Sequence, residues 1–201
     1  RSAMYRRIIK RALDFLIALG GTAVLSPVLA VLALWVKCGS PGPVLFRQKR
    51  VGKDKTYFQI LKFRTMYADT PKDVPTHLLR NPEAMITRSG RVLRKTSLDE
   101  LPQLFNILAG QMSVVGPRPA LWNQEDLIAE RDKYGANALM PGLTGWAQVN
   151  GRDELPIPVK AQLDGYYARH ISFALDVKIF FKTIANVLTE KGVVEGGTRG
   201  Q

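Results

Sequence analysis

Asp99 and Glu100 stand side by side in the segment Ser97-Leu98-Asp99-Glu100-Leu101-Pro102-Gln103. Apolar residues at 98, 101, 104, 105 and 108 have the period of a helix, so the two acids fall where that helix begins. A helix start collects anions, and a carboxylate there can act as a nucleophile toward phosphorus. Two adjacent acids with a divalent cation could hold a diphosphate while one of them attacks. Arg88, Arg91, Arg94 and Lys95 lie just upstream and supply positive charge for phosphate oxygens. No P-loop, dinucleotide-binding glycine motif or HExxH pair competes for this role.

The same residues have a purely structural explanation. Ser97 and Glu100 have the S-x-x-E spacing of a capping box. Acids in a first turn also suit the helix dipole, and Pro102 is tolerated where N–H groups lack intrahelical partners. Taken alone, capping accounts for the pair better than chemistry does. Two further arginines sit in distinctive surroundings. Gly116-Pro117-Arg118-Pro119 holds Arg118 in a stiff turn, and a guanidinium fork pairs well with phosphate. Arg152 follows the glycine-rich loop 141–152, where bare backbone could approach a ligand. Each arginine on its own is better explained as surface charge than as a ligand contact.

The elements that must position these groups begin with an apolar segment. Phe15 to Val36 is a run of 22 uncharged residues, long enough to span a bilayer. It is too long for a cleaved signal peptide, and a soluble DNA-binding domain would not carry it. The net charge of +12, from 29 Lys and Arg against 17 Asp and Glu, favours polyanionic partners. With the apolar run, that charge points to a membrane surface and phosphorylated substrates, not nucleic acid. Basic residues flank the run on both sides: Arg6, Arg7, Lys10 and Arg11 before it, Lys37, Arg47, Lys49, Arg50 and Lys53 after it. Basic flanks prefer the cytoplasmic face, so a segment that enters and returns to one face satisfies both ends. Ser26-Pro27 near its middle predicts a break, because Pro27 lacks an N–H and clashes with the preceding turn. A neighbouring Ser is one candidate partner for the freed carbonyl. A kinked spanning helix is the competing reading.

The single Cys38 excludes an internal disulfide and points to an intracellular site of action. Arg1-Ser2-Ala3 precedes the first Met and is expected to be an expression scar. Gly39 to Pro43 predicts a turn. Strands are expected at 44–48 and 57–63 around a loop at 52–55, and a surface loop or short helix at 68–83. A basic helix is expected at 84–95, an amphipathic helix at 121–134, and a long helix from Ser172 to Leu188. That last helix could pack in a core or lie in the lipid interface. Residues 192–201 are glycine-rich and are expected to form a flexible tail.

Several segments together resemble the monotopic bacterial phosphoglycosyl transferases: KRALDFLIALGGTAVLSPVLA, LFRQKRVG, FQILKFRTM, LRKTSLDELPQLFNILAGQMSVVGPRP, PGLTGWAQVNGR and the region of Asp176. The resemblance runs from about Lys10 to Val194. It implies an α/β, mostly helical fold, a small sheet with surrounding helices, amphipathic interfacial helices and an N-terminal re-entrant membrane helix over 4–38. The catalytic domain would occupy 39–191, on the cytoplasmic face of the bacterial inner membrane. The resemblance further implies transfer of a sugar 1-phosphate from a UDP-sugar to polyprenol phosphate, with release of UMP. Asp99 would be the nucleophile and form a phosphosugar intermediate. Glu100 would assist, and Mg2+ would be held at Asp99 and Glu100. Lys62, Arg94, Arg118 and Arg152 match basic positions of the family's motifs and would contact phosphate or nucleotide. Ser26 and Pro27 match its helix break, and Asp164 and Asp176 are further acids better suited to structural roles. The expected partners are the UDP-sugar, polyprenol phosphate and the bilayer, with a homodimer left open. A non-catalytic membrane scaffold and a protein that binds an anionic partner are the alternatives.

Overall fold

One long helix organises the chain. In the computed structural model, which describes residues 4–74, 79–151 and 155–189, a π-helical turn at Tyr5–Ile9 leads into α1, Lys10–Gly39. At 1.5 Å per residue α1 is about 45 Å long. It is long and apolar enough to cross a membrane, and most of its apolar side chains face outward, with Val24 at 78% and Leu34 at 66% exposure. The helix continues through Ser26-Pro27 without interruption. The Ser26 hydroxyl donates to the Ala23 carbonyl at 2.9 Å, the carbonyl that an N–H at position 27 would have bonded. The serine thereby satisfies the group that the proline orphans.

Both ends of α1 are fastened to the rest of the protein. At the start, Lys10 Nζ and Tyr5 Oη each donate to Asp176 at 2.7 Å. Arg11 donates to the Ile107 carbonyl at 2.9 Å. Asp14 accepts from Val114 N and Ser113 Oγ. At the far end the buried Arg64 guanidinium donates to Ser40 Oγ, Ser40 O, Pro41 O and Pro43 O. Between these points Ala18 and Leu25 pack with Leu104 and Ile107, while Leu32 and Val36 pack with Phe63 and Leu93.

The expected hairpin is present: β1, Leu45–Val51, pairs antiparallel with β2, Tyr57–Phe63, around a turn at Lys53–Lys55. A one-turn helix α2, Pro82–Met85, precedes α3, Arg88–Thr96, the expected basic helix. The helix expected over 98–108 is divided. A 3-10 turn, Leu98–Glu100, comes first, and regular α4 runs only from Gln103 to Leu108, ending before Gly110 at φ 82°. Next come β3, Ser113–Val115, and α5, Glu125–Asp132, shorter than the helix expected at 121–134. Residues 141–152 are not the expected loop: β4, Gly142–Thr144, pairs parallel with β3, and α6, Trp146–Val149, follows. The fold is mostly helical with little sheet, as expected, and among the described residues the strands form two two-stranded pairs.

Two helices complete the chain. α7, Ile157–His170, has no counterpart in the sequence expectations and starts with proline in its first turn. α8, Phe173–Leu188, is the expected last helix, capped by Ser172 Oγ accepting from Leu175 N. Asp164 is buried in an ion pair with Arg131 at 2.7 Å, and Asp176 also receives Tyr167 Oη at 2.7 Å. Both acids act as structural ties, as expected. The expected tail at 192–201, the three-residue scar and Arg152 lie outside the described residues.

Candidate active site

The capping box does not form. Ser97 adopts a left-handed conformation at φ 58°, closes the end of α3 and makes no side-chain cap to the next turn. Glu100 points elsewhere. Its Oε1 accepts from Lys62 Nζ at 2.8 Å and from Arg118 Nη2 at 3.0 Å. Local spacing suggested a cap, but two cations distant in sequence hold this carboxylate.

Each cation is aimed by its own element. Phe58, Ile60 and Lys62 alternate along β2 and share one face, so Lys62 follows two core residues inward. The Asn106 side chain of α4 accepts from Leu61 N at 2.9 Å and donates to Gln59 O at 2.8 Å. It caps the free edge of β2 and brings the turn that carries Asp99 and Glu100 against Lys62.

Arg118 is fixed from both sides: Gly142 N donates to Pro117 O at 2.8 Å, and Arg50 Nη1 donates to Pro119 O at 3.0 Å. That arrangement needs bare backbone. A Cβ on Gly116 would collide with Met140 O, and a Cβ on Gly142 or Gly145 would collide with Gly116. Gly142 and Gly145, expected from sequence to open backbone to a ligand, instead bring backbone against the backbone of Gly116.

Arg94, in the last turn of α3, donates from Nε to Thr65 Oγ1 at 2.9 Å. Thr65 is itself pinned, since its carbonyl accepts from Thr87 N and a Cβ on Gly90 would strike it. Sequence reasoning passed over Thr65 because an isolated threonine after a strand carries no pattern. The sites of Lys62, Arg94, Asp99, Glu100 and Arg118 are thus brought together from β2, α3, the 3-10 turn and the turn after β3.

Electrostatics separates the two acids. Burial pushes the Asp99 carboxyl up to about 6. The Lys62, Arg94 and Arg118 charges pull it back only in part, and the Glu100 charge adds to the rise. For Glu100 burial also opposes ionisation, but hydrogen-bonded Lys62 and Arg118 outweigh it and hold the carboxyl below the usual carboxylate range. Among the described residues, no donor hydrogen-bonds to the Asp99 carboxylate. One acid is therefore neutralised by cations, and its 9%-exposed neighbour keeps its lone pairs available. No three metal-ligating side chains cluster among the described residues. A pair of hard carboxylate oxygens fits Mg2+ only in the way that ion usually binds, with substrate phosphates and water completing the shell.

A helix long and apolar enough to cross a membrane is thus joined to a basic, two-carboxylate site. The chain matches the family described as bacterial sugar transferase over residues 5–190, and it belongs to that family. It is 38% identical over 192 residues to the UDP-N-acetylgalactosamine-undecaprenyl-phosphate N-acetylgalactosaminephosphotransferase of Aeromonas hydrophila, covering 92% of this chain and 44% of that protein. It is 42% identical over 185 residues to the UDP-glucose:undecaprenyl-phosphate glucose-1-phosphate transferase of Escherichia coli K12, covering 89% and 40%. It is 39% identical over 194 residues to the exopolysaccharide production protein PSS of Rhizobium leguminosarum bv. phaseoli, covering 90% and 96%. The chain spans less than half the length of the first two proteins and nearly all of the third.

Proposed function

We propose that this chain transfers a sugar 1-phosphate from a UDP-sugar to polyprenol phosphate, with Asp99 as nucleophile. The observation that carries the proposal is the contrast between the two acids: Glu100 is bound by Lys62 and Arg118, while the neighbouring Asp99 carries no donor among the described residues. The named activities of the Aeromonas and Escherichia relatives support the same chemistry. In the first displacement an Asp99 oxygen attacks the phosphorus that bears the sugar. The bond to UMP breaks, and UMP leaves with the electron pair. In the second, an oxygen of polyprenol phosphate attacks the same phosphorus and releases the Asp99 carboxylate. The product is a polyprenol-diphosphate sugar.

In this reading Lys62 and Arg118 fix Glu100 and add positive charge beside the diphosphate, and Arg94 adds more. Arg152 would extend that contact set. Asp99 and the second oxygen of Glu100 would hold Mg2+, which would neutralise charge on the diphosphate. Glu100 would steer the metal or take the acceptor's proton.

The same reading puts the protein on the cytoplasmic face of the inner membrane, with both ends of α1 on that side and a bend at Ser26-Pro27 that the continuous helix of this structure does not itself display. Three features support this. Both ends of α1 are tied to one domain, through Asp176 and through Arg64. A spanning α1 would drag one of those polar attachments into lipid. α8 also turns Phe173, Phe181 and Leu188 outward, at 58%, 64% and 79% exposure, as an interfacial helix would. Labelling single cysteines at both ends of α1 in intact vesicles tests this: same-side labelling is expected, and opposite-side labelling refutes it.

UMP release across a panel of UDP-sugars tests the activity. Intact-mass measurement with UDP-sugar alone should reveal the phosphosugar adduct. Asp99→Asn should abolish both in a folded protein. Undiminished turnover in that variant removes Asp99 as nucleophile.

A further inference from the structure

Beside the two acids lies a buried donor with nothing to bind. Gln103 is 2% exposed, and its Nε2 is shielded from solvent without a hydrogen-bond partner. Buried donors are almost always paired, so an orphan marks strain or a role. The residue stands four positions after Asp99. The backbone between them stays right-handed: a 3-10 turn over Leu98–Glu100, then Leu101 at φ −54°, ψ −36° and Pro102 at φ −61°, ψ −14°. Residues four apart on such a run share a face, and the later side chain leans back over the turn before it. The Gln103 amide therefore lies on the face that carries Asp99. Asp99 is an acceptor without a donor and Gln103 a donor without an acceptor, both buried and adjacent in the helical register.

We propose that Gln103 is the positioning residue of the nucleophile. Its Nε2, unpartnered in the free protein, swings onto the Asp99 oxygen that does not attack when the UDP-sugar binds, and keeps that bond when the same oxygen becomes the carbonyl of the phosphosugar adduct. The inference rests on the Asp99 nucleophile proposed above. A donor held on the spectator oxygen aims the attacking one and supports the carboxylate when it leaves. In the free protein the amide is held ready at a cost in stability, because it is desolvated without compensation.

That cost supplies a readout that packing alone would not give. Gln103→Met removes the donor and keeps the volume. Its melting temperature should match or exceed that of the parent, while kcat falls about 100-fold and KM for the UDP-sugar moves less than about threefold. Intact-mass time courses should show the adduct forming slower by the same factor. Gln103→Leu also removes the donor and should lose as much turnover, which covers the case in which the Met variant fails to fold. A folded variant of either kind with parental kcat overturns the proposal. So does a lowered melting temperature with unchanged kcat per folded molecule, which marks a packing residue. If the parent releases no UMP and forms no adduct with any UDP-sugar, the Asp99 reading itself fails. Normal parental turnover with an active Gln103→Met defeats only the positioning role.

Discussion

Lys62 Nζ lies 2.8 Å from Glu100 Oε1, joining a strand to a turn 38 residues further along. Both side chains are largely shielded, at 15% and 19% exposure. Lys62→Met would leave a carboxylate in a shielded site with Arg118 alone, and the loss of a partner from such a pair costs on the order of 3 kcal/mol. Chemical denaturation of the purified protein should show that loss. Glu100→Gln should cost less, because the amide oxygen still accepts from Lys62.

Turnover should depend on pH through Asp99. The attacking form is the carboxylate, and burial raises its pKa to about 6. Activity is therefore present above that value and lost as pH falls through it. Glu100 contributes to the rise, so Glu100→Gln makes Asp99 easier to ionise and should move the acid limb of kcat/KM to lower pH. An acid limb that stays fixed in this variant would show that another group controls it.

Asp99 should also leave a mark on stability. A carboxyl whose pKa rises on folding stabilises the protein below its ordinary value of 3.8. That contribution is lost as pH climbs through about 6. Asp99→Asn removes the penalty and should raise the melting temperature at pH 8 more than at pH 4. Equal shifts at both pH values would contradict the buried, ionised acid.

Arg118→Lys should lower kcat/KM about tenfold or more, equal to roughly 1.4 kcal/mol of transition-state stabilisation. A lysine keeps the charge but loses the planar fork, and the turn that holds Arg118 leaves little freedom to compensate. Steady-state kinetics with saturating acceptor would measure this.

Ser26→Ala should weaken α1 in lipid. The hydroxyl is what the Ala23 carbonyl receives in place of the missing Pro27 N–H. An unsatisfied carbonyl costs about 1–3 kcal/mol, and water cannot relieve it in hydrocarbon. Thermal melting in nanodiscs should show a larger loss than melting in a short-chain detergent.

Much of the frame was legible in the sequence because its signals are local. The uncharged run became α1, the Gly-Lys-Asp-Lys loop became the hairpin turn, and the apolar stretch after Ser172 became α8. The site was less legible because its contacts are not local. S-x-x-E spacing suggested a cap, but no local rule says that Glu100 will meet Lys62 and Arg118. The glycines at 142 and 145 looked like ligand-binding freedom, yet with Gly116 they serve a parallel pair of three-residue strands too short to leave a pattern. α7 drew no expectation, since Pro156 and Pro158 mask a helix start to local reading although proline is at home in a first turn.

The Tyr5 hydroxyl bonds to Asp176 across a sequence separation of 171 residues. On the ribosome, α1 emerges long before α8. Its outward apolar side chains are therefore exposed while the carboxylate that fixes its first turn does not yet exist. Final seating of that turn is a late event that waits on α8. A chain stalled before α8 would keep the ties of Arg11 and Asp14 but lack the one acid that gathers Tyr5 and Lys10.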